Sequence, residues 1–514
     1  MKIFTRFLLI FCLIVTVFIF WKQGYFKKGS ELKTLRVSFP NAKPARVYEP
    51  TRIHLAPEYI FLENIYSPLV EITVSNKLEA GLAEHFSWHG DELHLKIRKA
   101  KTIGGHLITP EDVVFSLKRL LIKSENTHGN FKDIVCPNVS LKNIDQLCDG
   151  ITYNGDTVIL KAKKSKSFLL PMLAAIDFAI IPKASVDPSS LEINDYHETS
   201  GPYYVEKDSE AGEIILKANP QHYRYSPNMP QEIQLVPTDP KNISSSLNDL
   251  ESGKVDYVST IDANRPEDMI QFSQSHKDVN QFASMNIRTF VLVFTQRGID
   301  EISENDRIAI GEQIRKALGE VWLSLPGYKE TIQFIPEFGE GGLATEKETY
   351  LRQKYASARL DKMQKELSLW YVRVGSGDKI IKTLSTATPY LKVSEGPNVP
   401  GFMKFENSKD MPHMFIGGPD SGFTEDISLL SYSLASGIFG KSRADGEKWL
   451  ANYMSISDKE KRLGLLKQIH FDSISKGILV PIANAPYVAI ARKPWKIGLS
   501  QQYANNPLWL IFNQ

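Results

Sequence analysis

Twice in this chain a helix with a marked start, one apolar stripe and a terminal glycine runs directly into a short apolar strand. Asp239 and Pro240 open the first; Ile243, Leu247 and Leu250 recur at helical spacing, Gly253 closes it, and residues 255 to 258 follow as a strand. Ser457 and Glu460 form the capping box of the second, Leu463, Leu466 and Ile469 make its stripe, Gly477 ends it, and ILVPIA from Ile478 is the strand. Thr109 to Asp112 mark a third start, with a hydroxyl cap, proline at the first helical position and two acids in the positive first turn, followed by Val113, Leu117, Leu120 and Leu121. Each stripe needs a sheet or another helix to cover it. Strand patterns supply the sheets: Leu35, Val37 and Phe39 alternate with Arg36 and Ser38, and Leu93, Leu95 and Ile97 alternate with His94, Lys96 and Arg98 after a turn at His89, Gly90 and Asp91. Helices and strands alternating through short loops predict an α/β architecture with mixed sheets. No internal repeat interrupts this order.

A chain of 514 residues with 42% hydrophobic content exceeds one compact core and supports two or three. Its 61 Lys and Arg balance 59 Asp and Glu, so it lacks the single-sign field with which nucleic-acid binders track phosphates, and nucleic acid is not an expected partner. The start has Lys2 and Arg6, an uncharged, apolar stretch from Phe7 to Trp21 with Thr16 as its one polar residue, and then Lys22, Lys27 and Lys28, the layout of an export segment. No small-x-small cleavage site follows, so an uncleaved membrane anchor stands beside a removed leader. Residues 1–30 are this segment with a polar tether, and order is expected from about Leu35. Cys12 follows Ile10 and Phe11 rather than small residues, and reads as apolar filler rather than a lipidation site. The remainder is expected in the periplasm or cell envelope. There, Cys136 and Cys148 are either a disulfide or two buried free thiols.

No GxSxG elbow, HExxH or GxxxxGK[ST] occurs, so no catalytic residue is assigned. GEGGLA from Gly339 resembles a dinucleotide loop only loosely and reads as a plain loop. His85, His89, His94 and His106 lie close in sequence, but His94 sits on the polar face of an alternating strand. Solvated side chains explain them better than a metal, and neither metal nor cofactor is expected. Of the aromatic residues, which include Tyr203, Tyr204, Trp370 and Trp509, most belong to cores and a subset suits the wall of a ligand cleft.

Several segments together resemble the oligopeptide- and dipeptide-binding family of ABC-transporter extracellular solute-binding proteins, solute-binding protein family 5. IYSPLVE at 65–71 and LAEHFSW at 82–88 resemble the family's opening, and LKIRKAKTIGGHLITPEDVVFSLKR at 95–119 resembles its hallmark strand, glycine turn, capped helix and SLKR ending. TSGPYYVEK at 199–207 is similar to its TGPY segment, with NPQHY at 219–223 next. LESGKVDYV at 250–258 and FVLVFT at 290–295 resemble later signatures, although the family usually has Asn where Thr295 stands.

The resemblance implies a two-lobed periplasmic-binding-protein fold (type II) with mixed sheets and an extra subdomain inserted in the first lobe. The first lobe would comprise 31–69, 196–284 and 485–514, the inserted subdomain 70–195 and the second lobe 285–484, with two or three strands crossing a hinge. It implies a binding protein, not an enzyme, that shuts on a peptide-like ligand and serves an ABC permease and ATPase as a monomer. In peptide-binding members a second-lobe aspartate holds the ligand's ammonium. In FIGGPDSGFTEDISLL at 415–430, Asp420 and Asp426 compete for that role, Arg373 is a candidate for a carboxylate, and Tyr203 is a weak candidate for the cleft wall. Alternatives are a sugar oligomer or metal chelate as ligand, an anchored ligand sensor, an exported hydrolase, or a structural envelope protein without an enclosed cleft.

Overall fold

The computed structural model describes residues 34–53, 56–123, 129–163, 165–239, 243–260, 265–360, 366–371, 377–396, 411–420, 443–503 and 507–513. Leu35, Val37 and Phe39 are fully buried in the strand Thr34–Pro40, as the alternation predicts. That strand lies inside a seven-stranded sheet ordered Val279–Ala283, Val488–Arg492, Tyr257–Ser259, Thr34–Pro40, Glu232–Thr238, Ile214–Ala218 and Tyr203–Asp208. It runs parallel to both neighbours, with Thr34 opposite Glu232 and Val37 opposite Tyr257. A parallel strand is covered on both faces. Ser38, on the face the alternation reads as polar, is therefore buried too, and its hydroxyl donates to Thr238 Oγ1 at 3.1 Å.

A second, six-stranded sheet is ordered Lys329–Glu330, Leu479–Ala485, Arg288–Phe294, Met414–Gly417, Leu367–Tyr371 and Leu391–Glu395. Every residue of Arg288–Phe294 is buried. Phe290, Leu292 and Phe294 face a core shared with helix Glu304–Trp322, and Val291 and Val293 enter a separate cluster on the other side with Tyr453 and Leu466. The helix before Leu479–Ala485 runs from Lys459 to Ser475, and Gly477 follows it in the left-handed region at φ 61°. Its cap is Asp458, not the expected Ser457: the carboxylate accepts from Lys461 N at 3.2 Å, and the serine stands one residue outside.

Attached to the first sheet is a smaller unit built on a four-stranded sheet, ordered Ala83–His89, Glu92–Ile97, Thr157–Lys161 and Ile151–Asn154. Leu93 and Leu95 point into its core, and Gly90 makes the hairpin turn. Helix Pro110–Lys123 covers this sheet. Its start is a closed box in which Thr109 Oγ1 accepts from Asp112 N at 3.3 Å and Asp112 Oδ2 accepts from Thr109 N at 2.8 Å. Near its end Arg119, the last residue of the SLKR segment, reaches back to the first lobe, where Nη1 donates to Glu49 Oε1 at 3.0 Å, while Nε donates to Leu191 O of the insert itself at 2.8 Å. Burial pushes the Glu49 carboxyl up, but hydrogen bonds and charge from Arg119 outweigh it and hold the group below its usual range. A disulfide joins Cys136 to Cys148, with Cα atoms 5.8 Å apart, and ties the helix Gly129–Val135 to the loop before Ile151–Asn154.

Candidate functional site

The two large sheets are joined where the chain leaves one and enters the other. Ser284–Ile287 connects Val279–Ala283 to Arg288–Phe294, and Pro486–Tyr487 connects Leu479–Ala485 to Val488–Arg492. These crossings are zipped together: Ser284 N donates to Tyr487 O at 2.9 Å, and Tyr487 N donates to Ser284 Oγ at 2.8 Å. Asn286 Nδ2 ties the first crossing to the second lobe through Asn484 O at 3.0 Å and Gly327 O at 2.8 Å. One bond beside the crossings spans the lobes, with Tyr328 of the second donating to Glu267 Oε2 of the first at 3.0 Å. Burial raises the Glu267 carboxyl above its ordinary range. Short paired crossings between stiff sheets are the geometry of hinge closure.

On the second lobe's side of the crossing, Asp420 extends the pairing of Arg288–Phe294 with Met414–Gly417 by one further bridge, opposite Arg288. Arg288 Nε donates to Asp420 Oδ1 at 2.7 Å and Nη2 to Oδ2 at 2.9 Å. The arginine side chain is 10% exposed and the aspartate 28%. Among the described residues two of the carboxylate's four lone-pair sites are engaged, leaving two for a further donor, although the aspartate's charge is already matched.

On the other side, a pocket of about 310 Å³ is walled by Pro68, Glu71, Val74, Ile176, Arg224 and Trp509, among others, all from the first lobe and inserted unit. The Arg224 guanidinium lies 4.5 Å from the Trp509 ring centroid, pairs with Glu71 through Nη2, and is pulled down to about 9 by burial. Aromatic and aliphatic walls with a few fixed polar groups suit a small guest.

Tyr203, a candidate for the cleft wall, lies instead in the first lobe's core. It is wholly inaccessible, its hydroxyl donates to Pro230 O at 2.9 Å, and burial holds the phenol far above its usual range. The first half of its strand, Tyr203, Tyr204 and Val205, is buried throughout, and only the second half, Glu206, Lys207 and Asp208, faces water. Asp426 and Arg373 lie outside the described residues. Among the described residues no group of three metal-ligating side chains forms. His94 pairs with Glu92 at 3.2 Å and His106 with Asp112 at 3.2 Å. The GEGGLA segment is a loop held from outside, with His470 Nδ1 against Gly341 O at 3.0 Å and Gln333 Oε1 accepting from Leu343 N at 2.5 Å.

One serine and histidine do meet, a contact the sequence does not signal. Ser67 Oγ and His222 Nε2 are 3.2 Å apart and buried. His222 Nδ1 accepts the backbone N–H of Arg224 at 3.2 Å, so the neutral ring carries its proton on Nε2 and donates it to the serine. Burial pulls this histidine down to about 3. A ring that gives its proton to Ser67 is not placed to take one from it.

Residues 77–319 match the family model of bacterial extracellular solute-binding proteins, family 5, middle. Over this stretch the resemblance to solute-binding protein family 5 is borne out. A search of curated proteins by sequence returns no match. The fold of the chain is that of known two-lobed solute-binding proteins. It is similar to the Escherichia coli murein tripeptide binding protein MppA at 15% identity and a TM-score of 0.70, covering 94% of this chain and 97% of that one. It is similar to Haemophilus influenzae OppA in complex with the peptide RPPGFSPFR, at 15% identity and TM-score 0.70, covering 94% and 99%. NikA from Brucella suis in complex with Fe(III)-EDTA aligns at 14% identity and TM-score 0.73, covering 94% and 100%. The α/β class, the mixed sheets and the two-lobed type II architecture expected from the sequence are thus present in this chain. Among the described residues no helix is long and apolar enough to cross a membrane.

Proposed function

We propose that this chain is the extracytoplasmic solute-binding component of an ABC-type importer and captures a peptide-like ligand between its two lobes. The observation that carries the reading is the pair of zipped crossings with Asp420 at the second lobe's side of them, held by Arg288 through two of its lone-pair sites, the other two unengaged among the described residues. A terminal ammonium leaving water needs such acceptors, and an extended peptide backbone can be held by pairing with strand edges. Asp426 and Arg373 remain second candidates for the two ends of the ligand.

The division into a first lobe of 31–69, 196–284 and 485–514, an insert of 70–195 and a second lobe of 285–484 is supported by the chain's passage between sheets at Ser284–Ile287 and Pro486–Tyr487. Binding without catalysis is supported by the polarity of the Ser67–His222 contact. The permease and ATPase that would receive the cargo, a periplasmic or envelope location and a monomeric state belong to the same reading. A chelate is the second reading, supported by the similarity to NikA with Fe(III)-EDTA.

Native mass spectrometry of the protein purified from its host tests both readings. A retained peptide supports the first and a retained chelate the second. Protein without cargo that neither binds nor is stabilised by a peptide library counts against the first, and cleavage of that library counts against both.

A further inference from the structure

The short helix Lys166–Leu173 of the inserted unit serves two cores with two faces. Leu169 and Leu173 point into the insert's own core. Phe168, 5% exposed, belongs instead to the second-lobe cluster of Val291, Phe334, Phe415, Tyr453 and Leu466. Its ring lies 5.9 Å from that of Tyr453, and the Arg462 guanidinium stands 5.0 Å from its centroid. Met172, four residues on and so on the same face, touches both clusters. Arg462 is itself fixed, donating through Nη1 to Ile456 O at 2.6 Å.

We infer that Phe168, with Met172 beside it, is a latch that clasps the inserted unit onto the second lobe and favours the shut form before any guest arrives. The inference rests on the proposed opening and closing of the lobes. Opening would bring the Phe168 ring and its socket back into water, and the apolar area lost sets the bias. Removing the ring is expected to raise the open-to-shut ratio roughly ten- to hundredfold. A guest whose binding requires the open form would then associate faster with the latchless protein.

The test uses the full chain with Cys12→Ser and nitroxide labels at Tyr153→Cys in the insert and Tyr350→Cys in the second lobe, both about half exposed. The protein is unfolded and refolded with its disulfide intact, and native mass spectrometry verifies that it is free of cargo. Distances between the labels are measured by double electron–electron resonance. A short, narrow distribution that lengthens and broadens in Phe168→Ala, and less so in Phe168→Leu and Met172→Ala, supports the latch. The same distribution in all four proteins overturns it, as does a parent already fully open. Should Phe168→Ala fail to fold, Phe168→Leu and Met172→Ala decide on the same criteria. Because no ligand is used, a failed latch with cargo still found in host-purified protein leaves the proposed function standing, and a working latch without any cargo leaves the inference standing alone.

Discussion

Arg288 and Asp420 meet in a two-point ion pair, Nε to Oδ1 at 2.7 Å and Nη2 to Oδ2 at 2.9 Å, directly beside the chain's passage into the second lobe. A ligand anchor at Asp420 is therefore also a structural partner. Asp420→Ala leaves a largely buried guanidinium without its matching fork, which is expected to cost about 1 to 3 kcal/mol of stability, discounted for the aspartate's partial exposure. If Asp420 also holds a peptide ammonium, affinity measured by calorimetry falls by about 2 to 5 kcal/mol in the same variant. Unchanged affinity alongside lowered stability removes Asp420 from the binding site and leaves it as support for Arg288.

Arg119 and Glu49 pair with almost no exposure, at 1% and 4%. Arg119→Ala strands a buried carboxylate, and a loss of about 3 to 5 kcal/mol in the urea unfolding free energy is expected. The inserted unit should loosen first, visible as increased hydrogen exchange in Pro110–Lys123. A loss below about 1 kcal/mol would show that the pair does not fasten the insert.

Gly201, in the TSGPYY segment, lies against the backbone of Ile65 and Tyr66 and donates its N–H to Ile65 O at 2.9 Å. A Cβ there would stand 2.4 Å from Ile65 C. Gly201→Ala is expected to destabilise by at least about 2 kcal/mol, because backbone cannot step aside as a side chain can. Thermal melts matching those of the parent would contradict the close approach.

Two buried histidines make stability depend on pH. Burial pulls His222 down to about 3 and His470 to about 4. The unfolded chain takes up these protons near pH 6.5 while the folded one does not, so stability falls as pH drops below about 6.5, by up to roughly 1.4 kcal/mol per unit for each group. Glu267, raised by burial, acts in the opposite direction, since its contribution is present at low pH and lost as pH rises through its folded value. Urea midpoints at pH 7, 6 and 5 should decline in the parent and decline less in His470→Gln. Parallel pH slopes in the two proteins would reject the assignment for His470.

The Cys136–Cys148 disulfide closes a short loop. Replacing both with Ser is expected to cost about 2 to 4 kcal/mol. Thiol titration of the denatured, unreduced parent should find neither cysteine free, and two reactive thiols there would remove the bond.

The architecture was legible because its signals are local. Alternation in Thr34–Pro40 and Glu92–Ile97, the Thr109 cap and the glycine stop at Gly477 answer backbone requirements satisfied within a few residues. The cap at Asp458 was missed by one position because serine and aspartate, side by side, carry the same signal. Motif resemblance marked TSGPYY and SLKR without their purposes, which are the backbone contact at Ile65 and the clamp on Glu49.

Other relationships were decided only by the tertiary structure. Asp420 finds Arg288 across 132 positions, Tyr203, a weak candidate for the cleft wall, turns into the core, and Phe168 abandons the core of its own subdomain for that of the second lobe. By itself the sequence determined which residues are apolar and where helices and strands start and stop. Which of two apolar faces meets which neighbour, and which charges are brought together, depends on how distant elements dock, and no spacing along the chain encodes that.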